Sequence, residues 1–111
     1  MTARGYLGSF ELMVLLAIIH LGDAAYGVTI AREIEARTRR DVVRRSFYAA
    51  LDRLQDKGYV RSRLGAPTPE RGGRAKRYFQ ATAHGSREAR STQQALSTLW
   101  LGPPALEGET A

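Results

Sequence analysis

The sequence predicts a mainly α fold with one β-hairpin, in the α+β class, and three observations carry that prediction. Three apolar helical stripes follow one another before Gly58, period-two alternation flanks a Pro- and Gly-rich loop, and a last helical pattern runs to Trp100. At 111 residues the chain fits one domain with a single modest core. Hydrophobic residues make up 43% and charged residues 25%, the balance of a globular protein rather than a disordered one.

The first element, SFELMVLLAIIHLG, is apolar on nearly every face over residues 10–21, with Ser9 expected as N-cap and Gly22 as terminator. Such a helix is either central to a core or shared with a second subunit. Both are expected here, with Leu12 and Leu16 on the shared face. The apolar run 12–19 is less than half of the roughly 20 residues a bilayer needs, and no basic leader precedes it. Neither a membrane span nor a signal peptide is expected. Cysteine is absent, which leaves no disulfide framework or thiolate metal site and makes a reducing cytoplasm the expected location. His20, a lone imidazole near the helix end, is expected in a structural or surface role rather than as a metal ligand.

The second element, DAAYGVTIAREIEARTRR, starts with a capping Asp23 and spaces Tyr26, Ile30 and Ile34 at i, i+4, i+8. The third, DVVRRSFYAALDRLQDKG, carries the stripe Phe47, Leu51 and Leu54 with Ala50 beside it, and Gly58 closes it. Only the short link 39–43 separates the two, which makes them a helix-turn-helix pair. An advance of about 100° per residue turns Arg45, Ala49 and Asp52 away from the core stripe, flanked by Arg44 and Tyr48 on one side and Arg53 on the other. A recognition helix reads base edges in the major groove mainly from its N-terminal turns, where Arg44, Arg45 and Tyr48 fall, and Ala49 permits close approach.

After Gly58 the period changes. Val60, Ser62 and Leu64 alternate with Tyr59, Arg61 and Arg63, the loop GAPTPERGG follows, and a second strand sets Ala75, Arg77, Phe79 and Ala81 opposite Arg74, Lys76, Tyr78 and Gln80. This is a basic hairpin, a wing. Its tip, with Arg71, Gly72, Gly73, Arg74 and Lys76, suits close approach to a phosphate backbone or the minor groove. Phe79 is expected in the core, and Tyr78 either braces the wing or stacks on a base.

The last helix, TAHGSREARSTQQALSTLW, is capped by Thr82 and carries Ala89, Thr92, Leu96 and Leu99 at a/d-like spacing with Trp100 beside them. So thin a stripe gains too little burial within one subunit, which predicts packing against a symmetry mate in a homodimer. A small aromatic effector would enter where this helix meets the first, with Trp100 as a wall; simple dimer packing carries more weight for that residue. The expected organisation is a winged helix-turn-helix over residues 7–82, a dimerisation helix over 83–101 and a flexible tail over 102–111.

Charge agrees with this layout. Residues 37–77 hold 13 Lys and Arg against 4 Asp and Glu, while the other residues hold 4 against 7. The whole net charge of +6 thus comes from one central block, the pattern of a nucleic-acid footprint. Double-stranded DNA is the expected partner; an RNA-binding or protein-interaction winged helix is the alternative. There is no phosphate-binding glycine loop, no HExxH and no nucleophile with a paired base, and the only imidazoles are His20 and His84. Catalysis, a metal and a cofactor are therefore not expected.

The segments LGSFELMVLLAI, GDAAYGVTIAREIEART, FYAALDRLQDKGYVRSRLG and PTPERGGRAKRYFQATAHG together resemble the PadR family of bacterial transcription regulators in its small form, over residues 7–100. That resemblance implies a homodimeric repressor bound to a pseudo-palindromic operator and released by a small aromatic or drug-like effector. The family's recognition-helix tyrosine falls on Tyr48, and its basic wing residues on Arg71, Arg74 and Lys76. The chain departs from the family at Val43, Arg44 and Arg45, where such proteins often carry a stretch like Ser-Leu-Gly, and so loses a capping hydroxyl and adds two charges.

Overall fold

A computed structural model of the protein describes residues 6–66 and 75–101. In chain order it contains α1 (Ser9–Leu21), a 3-10 turn (Gly22–Ala24), α2 (Gly27–Thr38), α3 (Arg44–Asp56), β1 (Val60–Leu64), β2 (Arg77–Ala81) and α4 (Ala83–Leu101). None of the described helices is long and apolar enough to cross a membrane.

The core forms around α1, which packs against α2, α3, β2 and α4 at once. Its all-round apolar sequence makes this possible: Val14, Leu15, Ala17 and Ile18 are buried, and only a stripe of Met13, Leu16 and Ile19 stays open. Leu12, expected on a shared face, instead lies inside the chain's own core at 7% exposure. It sits three residues, close to one helical turn, before Leu15, so the helix period carries it inward with that residue. Ser9 is not the cap either. Gly8 holds the N-cap position without a side-chain hydrogen bond. At the other end Gly22 adopts φ 59° and its N–H donates to the Ile18 carbonyl, as expected of a glycine terminator.

Asp23 falls in the 3-10 turn, and α2 starts four residues later. The cap comes from inside the helix: the Thr29 hydroxyl accepts the Tyr26 N–H at 3.0 Å and donates to the Ala24 carbonyl. Ile30 and Ile34 are buried as their spacing predicts, whereas Tyr26 precedes the helix and turns to the hairpin. In α3 the stripe Phe47, Ala50, Leu51 and Leu54 is fully buried. Gly58, at φ 78°, ends it. Its N–H donates to Gln55 at 3.0 Å and that of Tyr59 to Leu54 at 2.9 Å, the paired bonds of a Schellman motif.

The two strands are antiparallel, in a register from Val60 opposite Ala81 to Leu64 opposite Arg77. Val60 and Phe79 reach the core, but Leu64 is exposed because the hairpin has run past the edge of the helices by that point. Ala25 and Tyr26 add a third short rung: the Phe79 N–H donates to the Ala25 carbonyl at 2.9 Å, and Tyr26 bridges Tyr78. Two residues are too few to show a period, so this rung has no sequence signature.

Thr82 caps α4 as expected. Its hydroxyl accepts the Gly85 N–H at 3.0 Å and donates to the Gly58 carbonyl at 2.7 Å. The first half of α4 does pack within its own chain, contrary to expectation. Ala89 and Thr92 are buried, and Thr92 Oγ1 accepts the Leu7 N–H at 3.3 Å. Farther along, Leu96 and Leu99 are exposed and Trp100 is 74% exposed.

The seam between hairpin and α4 depends on Gly85, where a Cβ would lie 2.0 Å from the Tyr59 carbonyl oxygen. Gly85→Ala is expected to destabilise the protein by about 1–3 kcal/mol, because the overpacking outweighs the helix propensity that alanine adds. Thermal denaturation of the two proteins measures it; an equal or higher melting temperature for the alanine variant would show the seam to be loose.

Candidate nucleic-acid interface

The link between α2 and α3 is short and hydrogen-bonded. Arg39 takes the left-handed conformation at φ 60°, and the Val42 N–H donates to Glu35 Oε2 at 2.8 Å. Val43 then occupies the N-cap of α3 with a side chain that cannot accept a hydrogen bond, and no acidic residue follows in the first turn. Instead Arg44 and Arg45 stand there, both exposed. Cations at a helix N-terminus oppose its dipole, so helix stability does not account for them.

With the Phe47 stripe inward, the same period throws Tyr48 outward to 49% exposure and leaves Ala49 half-buried between the faces. The Tyr48 ring meets Phe47 edge-on at 5.1 Å. Its hydroxyl lies so close to Gly27 that a Cβ at that position would be 3.0 Å away. An open groove of about 550 Å³ runs between α3 and the hairpin, with Tyr26, Gly27, Tyr48, Asp52, Lys76 and Arg77 among its lining. Tyr48 and Lys76, 28 residues apart in sequence, therefore face one groove. The Lys76 ammonium sits 4.4 Å from the centre of the Tyr26 ring and donates to its hydroxyl at 3.4 Å. Arg71, Gly72, Gly73 and Arg74 lie outside the described residues.

A second open groove, of about 440 Å³, lies between α1 and α2. Met13, Leu16 and Ile19 line it on one side, and His20 and Arg37 close one end. Arg37 pairs with Glu33 and donates to His20 Nε2 at 2.9 Å, which makes His20 a surface hydrogen-bonding residue. Among the described residues no group of three or more His, Asp or Glu could hold a metal ion.

Residues 15–91 match the model of the PadR-like family of transcriptional regulators. The chain belongs to that family. It is accordingly a DNA-binding transcription regulator and not an enzyme. No curated protein matches its sequence. Among solved structures it is similar to a transcriptional regulator from Clostridium thermocellum, at TM-score 0.68 and 22% identity over 81% of this chain and 84% of that one. A PadR-like transcription factor from Bacteroides fragilis superposes at TM-score 0.69 with 20% identity, over 81% and 82% of the two chains. One from Bacillus cereus does so at 0.64 with 20% identity, over 85% and 93%. The chain thus has the winged-helix fold of these proteins.

In this PadR-like regulator the central basic block is not one surface. Arg53, expected beside the recognition face, is tied to Glu11 of α1, whose other carboxylate oxygen accepts from Lys57 at 2.9 Å. The two cations, four residues apart at the end of α3, both reach the first turn of α1. Glu11 is itself only 7% exposed. Burial pushes its carboxyl up, but the hydrogen bonds and positive charges of Lys57 and Arg53 outweigh this and hold it below its ordinary value of 4.5. An acid alone in an apolar helix was the sequence signal for this tie. Tyr26, Gly27 and Arg77 line the same groove as Tyr48 and Lys76, and periodicity did not single them out; an aromatic followed by glycine at a helix entrance was the one visible mark of the first two.

A carboxylate whose folded value is lowered contributes stability above its ordinary value and loses that contribution as pH falls through the folded value. Glu11→Gln is expected to cost roughly 1–3 kcal/mol near neutral pH, as for a charge-assisted hydrogen-bonded group left unpaired. The difference from wild type should close as pH drops below 4.5. Urea denaturation at pH 7 and pH 3 checks both statements.

Proposed function

We propose that this DNA-binding regulator acts in the cytoplasm as a homodimeric repressor, with residues 7–82 as the DNA-binding unit and 83–101 as the dimerisation helix. The observation that carries the DNA-contacting part is the exposed trio Arg44, Arg45 and Tyr48 at the start of α3, with Ala49 beside it, next to a groove shared with Lys76 of the wing. Arg44 and Arg45 would read base edges in the major groove, Tyr48 and Lys76 would contact the backbone, and Arg71, Gly72, Gly73 and Arg74 would extend the grip at the wing tip. Arg53 would serve indirectly, through its tie to α1.

Dimer formation is supported by the two apolar surfaces the chain leaves open, Met13, Leu16 and Ile19 on α1 and Leu96, Leu99 and Trp100 on α4. Exposed apolar patches of this kind mark association sites. The dimer would space two recognition helices to meet successive major grooves of a pseudo-palindrome, and occupation of the promoter would exclude polymerase. A small aromatic effector bound near Trp100 and Leu16, between the subunits, would release it.

Arg44→Ala or Arg45→Ala is expected to cost about 1–3 kcal/mol on an operator recovered by selection from random DNA, and much less on scrambled duplex, if each reads a guanine. Equal losses on both would reassign the arginines to phosphates. With on the order of 6 to 10 phosphate contacts per dimer, wild-type affinity should fall by roughly 10³ to 10⁵ between about 50 and 200 mM salt, read by fluorescence anisotropy. Quenching of Trp100 by planar aromatic compounds that also release the operator would support the effector site. If no such compound does either, that site is excluded.

A further inference from the structure

Four side chains at the base of the wing form a ladder. The Lys76 ammonium stands 4.4 Å over the Tyr26 ring, Tyr26 meets Tyr78 edge-on at 5.4 Å, and the Arg63 guanidinium lies 4.9 Å over Tyr78. Backbone contacts fix the same place, through the Tyr26 to Tyr78 bridge and the hydrogen bond from Phe79 to Ala25. The next residue along the chain, Gly27, lies beside the Tyr48 hydroxyl, where a Cβ would be 3.0 Å from it. Two consecutive residues therefore border both halves of the interface, Tyr26 against the wing and Gly27 beside α3.

Filling the core does not require an aromatic ring at position 26, which is only half-buried on the groove wall. What the ring supplies is a negative π-face for an ammonium and an edge for a second ring. A lysine ammonium has three donors, and one is directed at the Tyr26 hydroxyl. Two remain for a phosphate oxygen, on a side chain already stripped of most of its rotamer freedom before DNA arrives. Asp52, on the α3 wall of the same groove, repels a phosphate and confines it to the Lys76 side.

We propose that Tyr26 is a positioning residue for DNA recognition: it holds Lys76 and the base of the wing at a fixed offset from Tyr48, so that wing and recognition helix meet the duplex in register. The inference rests on Tyr48 and Lys76 being DNA contacts. Its strength should be that of a cation–π contact, a loss of roughly 3- to 30-fold in affinity when the ring is removed.

The test uses the full chain and a duplex recovered by selection from random DNA, with affinity followed against salt concentration and melting temperature measured alongside. Tyr26→Phe keeps the ring and should bind within about twofold of wild type. Tyr26→Leu and Lys76→Met should each lose roughly 3- to 30-fold and flatten the slope of log affinity against log salt by about one, the signature of one lost phosphate contact. The double variant should bind no worse than either single one, because both remove the same contact. A purely structural tyrosine would lower the melting temperature, leave the slope unchanged and add its loss to that of Lys76→Met, and this result overturns the proposal. If Tyr26→Leu loses the fold, an unchanged slope for Lys76→Met overturns it equally. A wild-type chain that ignores every duplex would overturn the DNA-contact reading as well, whereas wild-type binding with an unaffected Tyr26→Leu removes this inference alone.

Discussion

A single helix, α1, surrounded by its own chain on all but one narrow stripe, is the constraint on which the rest of the structure depends. Burying Val14, Leu15, Ala17 and Ile18 at once requires neighbours on several sides, and α2, α3, β2 and the first half of α4 are those neighbours. Each is held at an angle set by the surface of α1 it covers. The stripe left over, Met13, Leu16 and Ile19, lies on the side that none of them reaches. An apolar helix at the centre thus accounts for both a compact core in a small chain and an apolar surface that the chain does not cover by itself.

The polar complement to that core is Glu11. A carboxylate buried in the first turn of an apolar helix is unfavourable unless charged partners come to it, and Arg53 and Lys57 do so from the end of α3. The pair joins the central helix to α3 at the end opposite Arg44 and Arg45. Two of the thirteen cations of the basic block are thereby committed to the protein itself, and Arg37 is committed likewise to Glu33 and His20. The positive field left for a polyanion is narrower than the charge count implies. It is concentrated at the start of α3 and along the wing.

These two regions are built by different means. The start of α3 is rigid because its buried stripe locks the helix against α1, which fixes the directions in which Arg44, Arg45 and Tyr48 leave it. The wing has only two strands, and a two-stranded hairpin alone is marginal in water. Its base is held by a third rung at Ala25 and Tyr26 and by the alternation of cations with tyrosine rings. Positioning of the hairpin therefore comes from the segment between α1 and α2, a part of the chain with no cation of its own.

The order of elements, the buried stripes of α2 and α3, the strand pairing and the caps at Gly22, Gly58 and Thr82 were all legible in the sequence, because period and capping chemistry are local properties. The exposed side of α3 was legible for the same reason: once Phe47, Leu51 and Leu54 point inward, the outward direction of Arg44, Arg45 and Tyr48 follows from 3.6 residues per turn. Only the tertiary structure decided which faces of an all-apolar helix stay open, since Leu12 and Leu16 are equivalent by composition and differ only in what packs against them. It likewise paired Arg53 with Glu11, and brought Tyr26 to Lys76 across 50 residues of chain. Partner choice between side chains distant in sequence depends on where helices cross, and a local pattern carries no information about that.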